Sequence, residues 1–134
     1  MSGCRSIGYV AVLVPDYQEA IDYYTQVLGF ALIEDSDHGE GRRWVLVAPS
    51  AGNETRLLLA RASTPEQIAC IGNQAGGRVF LFLLTADFWH ERRVLQSRGV
   101  QFCEVPREES YGTVAVFVDR YGNRWDLLQL AHPA

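Results

Sequence analysis

The stretch DYQEAIDYYTQVLGF at residues 16–30 predicts one complete helix, because it contains signals for both the start and the end of that helix. Asp16 stands three residues before Glu19, the spacing of a capping box, and this predicts the helix start. Gly29 follows the last residue of the apolar helix face and predicts its end. Just before the helix, the continuous apolar run at 7–14 is rich in branched residues and predicts a buried strand.

The same order of segments recurs later in the chain, at a nearly constant offset. Each copy reads as strand, helix started by aspartate, glycine, and three further strands. Three pairs of anchors carry the offset: Gly29 and Gly99 are 70 residues apart, Gly52 and Gly122 are 70 apart, and Asp16 and Asp87 are 71 apart. A recurring supersecondary unit of this length predicts a fold made of two βαβββ modules.

The remaining elements follow from turn chemistry and alternation. In the first module we expect strands at 30–34, 44–48 and 56–60, with a polar loop at 35–41. Thr64 and Pro65 are typical of an N-cap and a first helical position, so they predict a short helix that ends near Gly72.

In the second module the helix begins at about Asp87 and ends at Gly99. Glu108 and Glu109 are interpreted as a turn, and Asp119 belongs to the turn before Gly122. The predicted strands are 78–84, 100–104, 113–118 and 124–130.

These elements predict an α+β fold in which tandem βαβββ modules form a cupped mixed sheet. Residues 1–134 make one domain, whose modules at about 5–62 and 77–131 are joined by a linking helix at 64–72. The concave face of the sheet is a natural ligand site. The open sheet edges need covering, which favours a homodimer; whether modules are exchanged between its chains stays open.

Composition excludes several classes of function. All 12 cationic side chains are arginine, so a Schiff-base lysine, a pyridoxal-phosphate enzyme and a P-loop are excluded. The net charge of −4, without basic blocks, argues against a nucleic-acid partner.

The cysteines and the apolar runs bear on location. Cys4, Cys70 and Cys103 are widely spaced and form no C-x-x-C pair, which excludes zinc-ribbon and thioredoxin-type sites. No apolar run is long enough for a membrane span, and the first one stops too early for a signal peptide. We therefore expect a cytoplasmic protein that does not bind membranes.

Two motifs carry a resemblance to a known family. They are the helix-to-glycine stretch at 16–30 and FVDRYGNRWDL at 117–127. With the repeated βαβββ order, they look like the vicinal oxygen chelate superfamily, which includes glyoxalase I, bleomycin-resistance proteins and extradiol dioxygenases. The resemblance covers nearly the whole chain and implies the glyoxalase/bleomycin-resistance-like fold more firmly than any chemistry.

Enzymes of that superfamily hold a divalent metal from four strand positions. The resemblance places these positions at Tyr9, near Leu58, near Phe80 and at Asp126, so one carboxylate stands where four ligands are needed. The three histidines do not repair the set, because each is expected to face solvent: His38 in a loop, His90 on the second helix and His132 near the end of the sequence. We expect no metal and no other cofactor.

Strand alternation assigns the lining of the cup. Tyr9, Ala11 and Leu13 share a face, Phe80 and Phe82 share another, and Arg124 and Asp126 point into the cup while Trp125 and Leu127 pack under the helices. Trp44 and Tyr111 are plausible rim residues. The predicted ligand-binding residues are Tyr9, Trp44, Phe80, Phe82, Tyr111, Arg124 and Asp126. Such a lining suits a small organic ligand that is partly apolar or aromatic.

Other interpretations stay open at this point. In one, the aromatic residues fill a cup that binds nothing, and Arg124 and Asp126 satisfy each other as an ion pair. In the others, the protein is a metal-dependent lyase, isomerase or dioxygenase, or a dimeric module with no small-molecule role. Asp126 as a lone general base in a metal-free isomerase would need a raised pKa. The sequence names no catalytic residue.

Overall fold

The structure is a computed structural model that describes residues 4–132. It divides into two compact units, Met1–Ile71 (unit 1) and Gly72–Ala134 (unit 2), and each unit has its own mixed sheet. Both units show the predicted order of strand, helix and further strands, which confirms the α+β class and the repeat. The prediction of a single cupped domain stays a prediction.

Unit 1 contains a four-stranded sheet in the order β1-β4-β3-β2, with β1 parallel to β4. Its strands are β1 (Tyr9–Val14), β2 (Ala31–Asp37), β3 (Arg43–Ala48) and β4 (Arg56–Arg61). Its α-helices are α1 (Tyr17–Asp22), which continues into a π-helical segment (Tyr23–Val27), and α2 (Pro65–Cys70).

Unit 2 contains a five-stranded sheet in the order β5-β9-β8-β6, with β7 paired to β8 and β5 parallel to β9. Its strands are β5 (Val79–Leu84), β6 (Gln101–Phe102), β7 (Arg107–Glu109), β8 (Gly112–Val118) and β9 (Arg124–Leu130), and its helix is α3 (Phe88–Ser97).

All three predicted helix starts are confirmed by side-chain caps. Asp16 accepts the Glu19 N–H at 2.9 Å, and Asp87 accepts the His90 N–H at 3.2 Å. Thr64 Oγ1 accepts the Gln67 N–H at 3.1 Å in the same way. Each cap satisfies a backbone donor that a helix leaves without an internal partner, which is why these short polar side chains fix the starts.

The core of each unit lies between its sheet and its helix. In unit 1 the fully buried side chains include Val12, Tyr24 and Leu59, and in unit 2 they include Phe88 and Phe117. Each contributes on the order of 1.5–3 kcal/mol through burial of apolar surface. Trp125 and Leu127 are also buried, as alternation predicted, and the Trp125 ring stacks on Phe117 at 5.8 Å.

Two sequence predictions fail at polar strands. The loop expected at 35–41 starts three residues later, because β2 runs on to Asp37 and pairs with β3 as far as Asp37↔Arg43, and only residues 38–41 of the predicted loop lie outside the strand. The turn expected at Glu108 and Glu109 is wrong, because both belong to β7. Both strands lie at sheet edges, where side chains on either face meet water, so they lack the apolar alternation by which strands are recognised.

Two strand ends also differ from expectation. The strand expected at 100–104 is paired only over Gln101 and Phe102, although the Cys103 N–H still donates to Val116 O at 2.8 Å. The first strand begins at Tyr9, two residues later than the apolar run suggests, and Ile7 is exposed. Among residues 4–132, no helix is long and apolar enough to cross a membrane.

Candidate ligand-binding site

Asp126 stands at the centre of one sheet face of unit 2. In β9 it is paired with Phe82 of β5 on one side and with Val116 of β8 on the other. Directly paired residues of a sheet place their side chains on the same face. The next row of this face is Leu84, Leu128 and Val114. We call this surface, with Phe82, Leu84 and Asp126 as its main members, the Asp126 face.

The Asp126 carboxyl is buried in apolar surroundings and is incompletely satisfied. Asp126 is only 9% exposed, and its Oδ1 atom has no hydrogen-bond partner. Burial raises the pKa of Asp126, because loss of water disfavours the charged form. Glu104 raises this pKa further, while Arg107 and Arg124 oppose the rise. The pKa of Asp126 is therefore raised, as the sequence analysis required of a general base.

Arg107 forms no ion pair with Asp126 in the described part of the chain, because its guanidinium is already engaged. Its Nε donates to Glu104 Oε1 at 3.1 Å, and its Nη1 donates to Glu109 Oε2 at 2.7 Å. Hydrogen bonds to Tyr111 and Glu104 raise the pKa of Arg107. The sequence analysis missed Arg107 and Glu104 as members of the site, because Glu104 is only the last residue of a predicted strand and no pattern at 105–107 places Arg107 beside β8.

Glu104 also ties this ion cluster to the sheet. Its Oε2 accepts the backbone N–H of Val116 at 3.0 Å, and Val116 is the neighbour of Asp126 in β8. The charged cluster is thus held at the border of the Asp126 face by a backbone hydrogen bond. Arg107, Glu104 and Glu109 all have hydrogen-bond partners within the cluster, whereas Asp126 Oδ1 has none.

The ion pair suggested between Arg124 and Asp126 does not form in the described part of the chain. Arg124 instead lines a small cavity of about 30 Å³ together with Phe80 and Asn123. Phe80 is skipped in the β5–β9 register, where the pairing shifts between Val79 and Leu81. The bulge breaks the alternation, so the common face expected for Phe80 and Phe82 does not follow from the strand pattern.

Two apolar side chains of β5 share the face of the carboxyl and remain open to solvent. Phe82 is 60% exposed and Leu84 is 59% exposed, although both belong to a strand of the sheet. Tyr111, on the turn between β7 and β8, is also exposed. An exposed apolar surface beside a buried polar group is typical of a binding site for an organic molecule.

The two predicted ligand-binding residues of unit 1 contact each other. Tyr9 and Trp44 pack edge to face, with ring centroids 5.6 Å apart, and Tyr9 is half exposed. Trp44 also lines a cavity of about 260 Å³. The remaining lining of that cavity comes from Tyr17, three arginines at 42, 43 and 61, residues 58–60 and Ser63.

The side chains at the four family metal positions do not make a ligand set. Tyr9, Leu58 and Phe80 offer no carboxylate or imidazole, and Asp126 offers one carboxylate. Divalent metals in proteins need several such donors around one point. Within residues 4–132 no group of three His, Cys, Asp or Glu side chains is arranged to hold a metal ion. His38, His90 and His132 are exposed, as predicted.

Comparison with known proteins identifies relatives over almost the full length. Residues 6–127 match the family model described as glyoxalase/bleomycin resistance protein/dioxygenase superfamily. An uncharacterized protein of Shewanella frigidimarina is 58% identical over 127 residues, which cover 94% of each chain.

Two solved structures are similar in both sequence and fold. TnmS3, an antibiotic binding protein from Streptomyces sp. CB03234, is 30% identical, with a TM-score of 0.77 and coverage of 98% of this chain and 100% of that one. A glyoxalase/bleomycin resistance protein from the same strain is 32% identical, with a TM-score of 0.71 and coverage of 92% and 100%. The glyoxalase/bleomycin-resistance-like fold expected from the sequence is thereby confirmed.

Proposed function

This chain belongs to the glyoxalase/bleomycin resistance protein/dioxygenase superfamily, and on that premise we propose that it binds a small, partly apolar or aromatic molecule at the Asp126 face without a metal. Binding here means capture or sequestration, and no bond of the ligand is broken. The name of the similar TnmS3, an antibiotic binding protein, supports this class of function.

The observation that carries the proposal is the unpartnered Oδ1 of the buried Asp126 carboxyl. A buried polar atom without a hydrogen bond costs on the order of 1–3 kcal/mol of stability. A fold gains nothing in stability from keeping such a group between Phe82 and Val116. A ligand that donates a hydrogen bond to Oδ1 removes this cost in the bound state, which favours its binding.

The neighbours of Asp126 define the rest of the ligand. Phe82 and Leu84 offer exposed apolar surface on the same face, so the body of the ligand is apolar or aromatic. Its polar part carries an N–H or O–H donor that reaches Asp126. A ligand without this donor would leave the carboxyl with neither water nor a hydrogen-bond partner, and a site of this kind discriminates strongly against such a ligand.

Ligand-induced stabilisation tests the proposal. We would screen flat amphipathic compounds, including antibiotics, for thermal shifts, and measure affinities by calorimetry. Asp126→Ala is expected to abolish the shift of any hit, and Asp126→Asn, which keeps one oxygen acceptor but not the charge, is expected to reduce it, while Asp22→Asn, at an exposed carboxyl of α1, leaves it unchanged. Tyr9→Ala tests the contribution of the unit 1 aromatic pair. A hit that binds the Asp126 variants with unchanged affinity contradicts the proposal.

Two further parts of the proposal have their own measurement. We propose that the chain works without a metal and as a homodimer, because the family metal positions hold few donors and the sheet edges are open. Native mass spectrometry with metal analysis measures both. A stoichiometric metal in the purified protein would favour the metal-dependent enzyme instead, and a monomer at micromolar concentration contradicts the dimer.

A further inference from the structure

The sheet of unit 1 is split at one end between its two central strands. The β3–β4 ladder comprises three pairs and stops at Val45↔Leu59. Beyond it, β3 stays paired with β2 as far as Arg43, and β4 stays paired with β1 as far as Arg61. Each of these strand ends is therefore hydrogen-bonded to one neighbouring strand only, β3 to β2 and β4 to β1. The cavity of about 260 Å³ lies at this split.

Guanidinium groups and aromatic rings line the split. Arg43 and Arg61 both place their Cζ atoms over the Tyr17 ring, at 5.5 and 5.6 Å from its centroid. Trp44 adds an indole and Ser63 adds a hydroxyl to the same lining. A guanidinium held over a ring is oriented in advance, so it loses less freedom when an anion binds.

The nearby acidic groups engage Arg43 but leave Arg61 without an ion pair among the described residues. Asp35 takes both the Nε and the Nη2 of Arg43, at 3.1 and 2.6 Å, and its hydrogen bonds raise the pKa of Arg43. Asp16 acts on Arg43 through charge as well. Arg42 meets Glu40 only at 3.9 Å, with both side chains largely exposed. Arg61 forms no ion pair with any residue between 4 and 132.

We propose that the split between β3 and β4 is a second binding site, which takes an oxyanion, a carboxylate or a phosphate, carried on one flat ring. The oxyanion pairs with Arg61 and Arg42, and the ring lies against the aromatic and apolar lining from Trp44 and Leu58. The cavity is smaller than the roughly 300–1,000 Å³ of drug-sized sites, so the ligand has about one ring. This site lies within unit 1 and does not depend on the function proposed for the Asp126 face.

The test uses three probes on the full chain: benzoate, phenyl phosphate and inorganic phosphate. Calorimetry and amide chemical-shift mapping measure affinity and place. We expect benzoate or phenyl phosphate to bind saturably and more tightly than inorganic phosphate, with shifts at 42–44 and 58–63. The probe that binds more tightly, benzoate or phenyl phosphate, identifies the oxyanion source as carboxylate or phosphate.

Matched charge variants separate a site from general attraction. Arg61→Gln is expected to weaken the better probe about tenfold or more, and Arg61→Lys, which keeps the charge but loses the forked donor geometry, weakens it less. Arg93→Gln removes the same charge from an exposed position of α3 and leaves binding unchanged. Arg42→Gln, also exposed, provides a second variant if Arg61→Gln is unstable. Equal weakening by Arg61→Gln and Arg93→Gln, or no saturable binding of any probe, overturns the proposal.

Discussion

The two units share one order of elements but close their sheets differently. In unit 2 the central strands β8 and β9 pair over seven residues, from Gly112↔Leu130 to Val118↔Arg124. In unit 1 the corresponding strands β3 and β4 pair over three residues and then separate. At the repeat offset of 70, Arg42 of unit 1 takes the place of Gly112. A glycine allows the strands of unit 2 to close, whereas unit 1 has an arginine at that position beside an open split.

The polar residues of the two sheets differ as well. Leu46 of β3 takes the place of Val116 at the offset of 70, and their partners in the neighbouring strands are Leu58 and Asp126, so Leu58 of unit 1 takes the place of Asp126 of unit 2. Leu58 is apolar and needs no hydrogen bond, whereas Asp126 Oδ1 has no partner. A repeat can thus preserve helix caps and strand order while each copy has its own polar residues.

The largest effect is expected at Gly112. A Cβ at this position would lie 2.1 Å from Gln129 O, and the φ of +154° is rarely adopted by other residues. Gly112→Ala therefore forces the end of the β8–β9 ladder apart. We expect a loss of about 3 kcal/mol, or roughly 10 °C in Tm. Gly52→Ala, where an added Cβ meets no atom within 4 Å, is the matched control with little effect.

Chemical denaturation measures both glycine variants. If Gly112→Ala and Gly52→Ala lower the free energy of unfolding equally, close backbone approach is not what keeps the unit 2 ladder closed. Amide exchange at Thr113 and Leu130 gives a local measurement, since these residues lie in the last pairs of the ladder.

The next effect concerns the second buried aspartate of unit 2. Asp119 accepts four donors: the backbone N–H groups of Tyr121 and Asn123, Asn123 Nδ2 and Trp125 Nε1, at 2.9–3.1 Å. Asp119→Asn turns an acceptor into a donor that faces other donors, so we expect a loss of about 2 kcal/mol. Thermal unfolding at neutral pH measures it. An unchanged Tm would contradict the role of Asp119 as the centre of this turn.

Asp126→Asn is expected to act in the opposite direction. The pKa of Asp126 is raised in the folded state, so its contribution to stability is greatest below the ordinary carboxyl pKa of about 3.9 and is lost as the pH rises through the folded value. An asparagine does not titrate, so the variant gains about 1 kcal/mol at neutral pH and nothing at the acid end. Tm measured against pH tests this. A variant less stable than the parent at pH 7 would show that the carboxylate is satisfied in solution.

The smallest effect is expected at the Tyr17 ring of unit 1. Tyr17→Leu keeps an apolar side chain but removes the surface under the guanidiniums of Arg43 and Arg61, at a cost of about 0.5–1 kcal/mol. Tyr17→Phe keeps the ring and is expected to match the parent. Unfolding curves at low and high salt measure the difference. Equal loss in both variants would assign the effect to the hydroxyl group.

Local signals explain how much of the fold the sequence predicts. Helix starts at Asp16, Thr64 and Asp87 depend on a side chain and a backbone group three residues away, so short sequence patterns capture them. Long apolar strands such as 79–84 are also recognisable, because their apolar run is contained in the local sequence. The helices and most strands were therefore predictable, as was the repeat.

The parts that failed depend on partners distant in sequence. The strand at Arg107–Glu109 exists because β8 offers it an edge, and nothing in the residues themselves is apolar. The bulge beside Phe80 depends on how β5 meets β9. The proximity of Glu104 to Val116 and the early end of the β3–β4 ladder likewise depend on tertiary contacts. The candidate site was thus only partly predictable: the sequence indicates Asp126, whereas its unpartnered state and its charged neighbours come from the fold.

The π-helical segment at 23–27 accounts for a small mismatch between the copies. The helix-starting aspartates are 71 residues apart, whereas the closing glycines Gly29 and Gly99 are 70 apart, so the first helix carries one residue more than the second. The Leu28 N–H bonds to Tyr23 O, five residues back, and this wider turn absorbs the extra residue while both ends stay in place. The difference in length between the two helices is thereby confined to one turn, so the strands that flank each helix can keep the same order in both units.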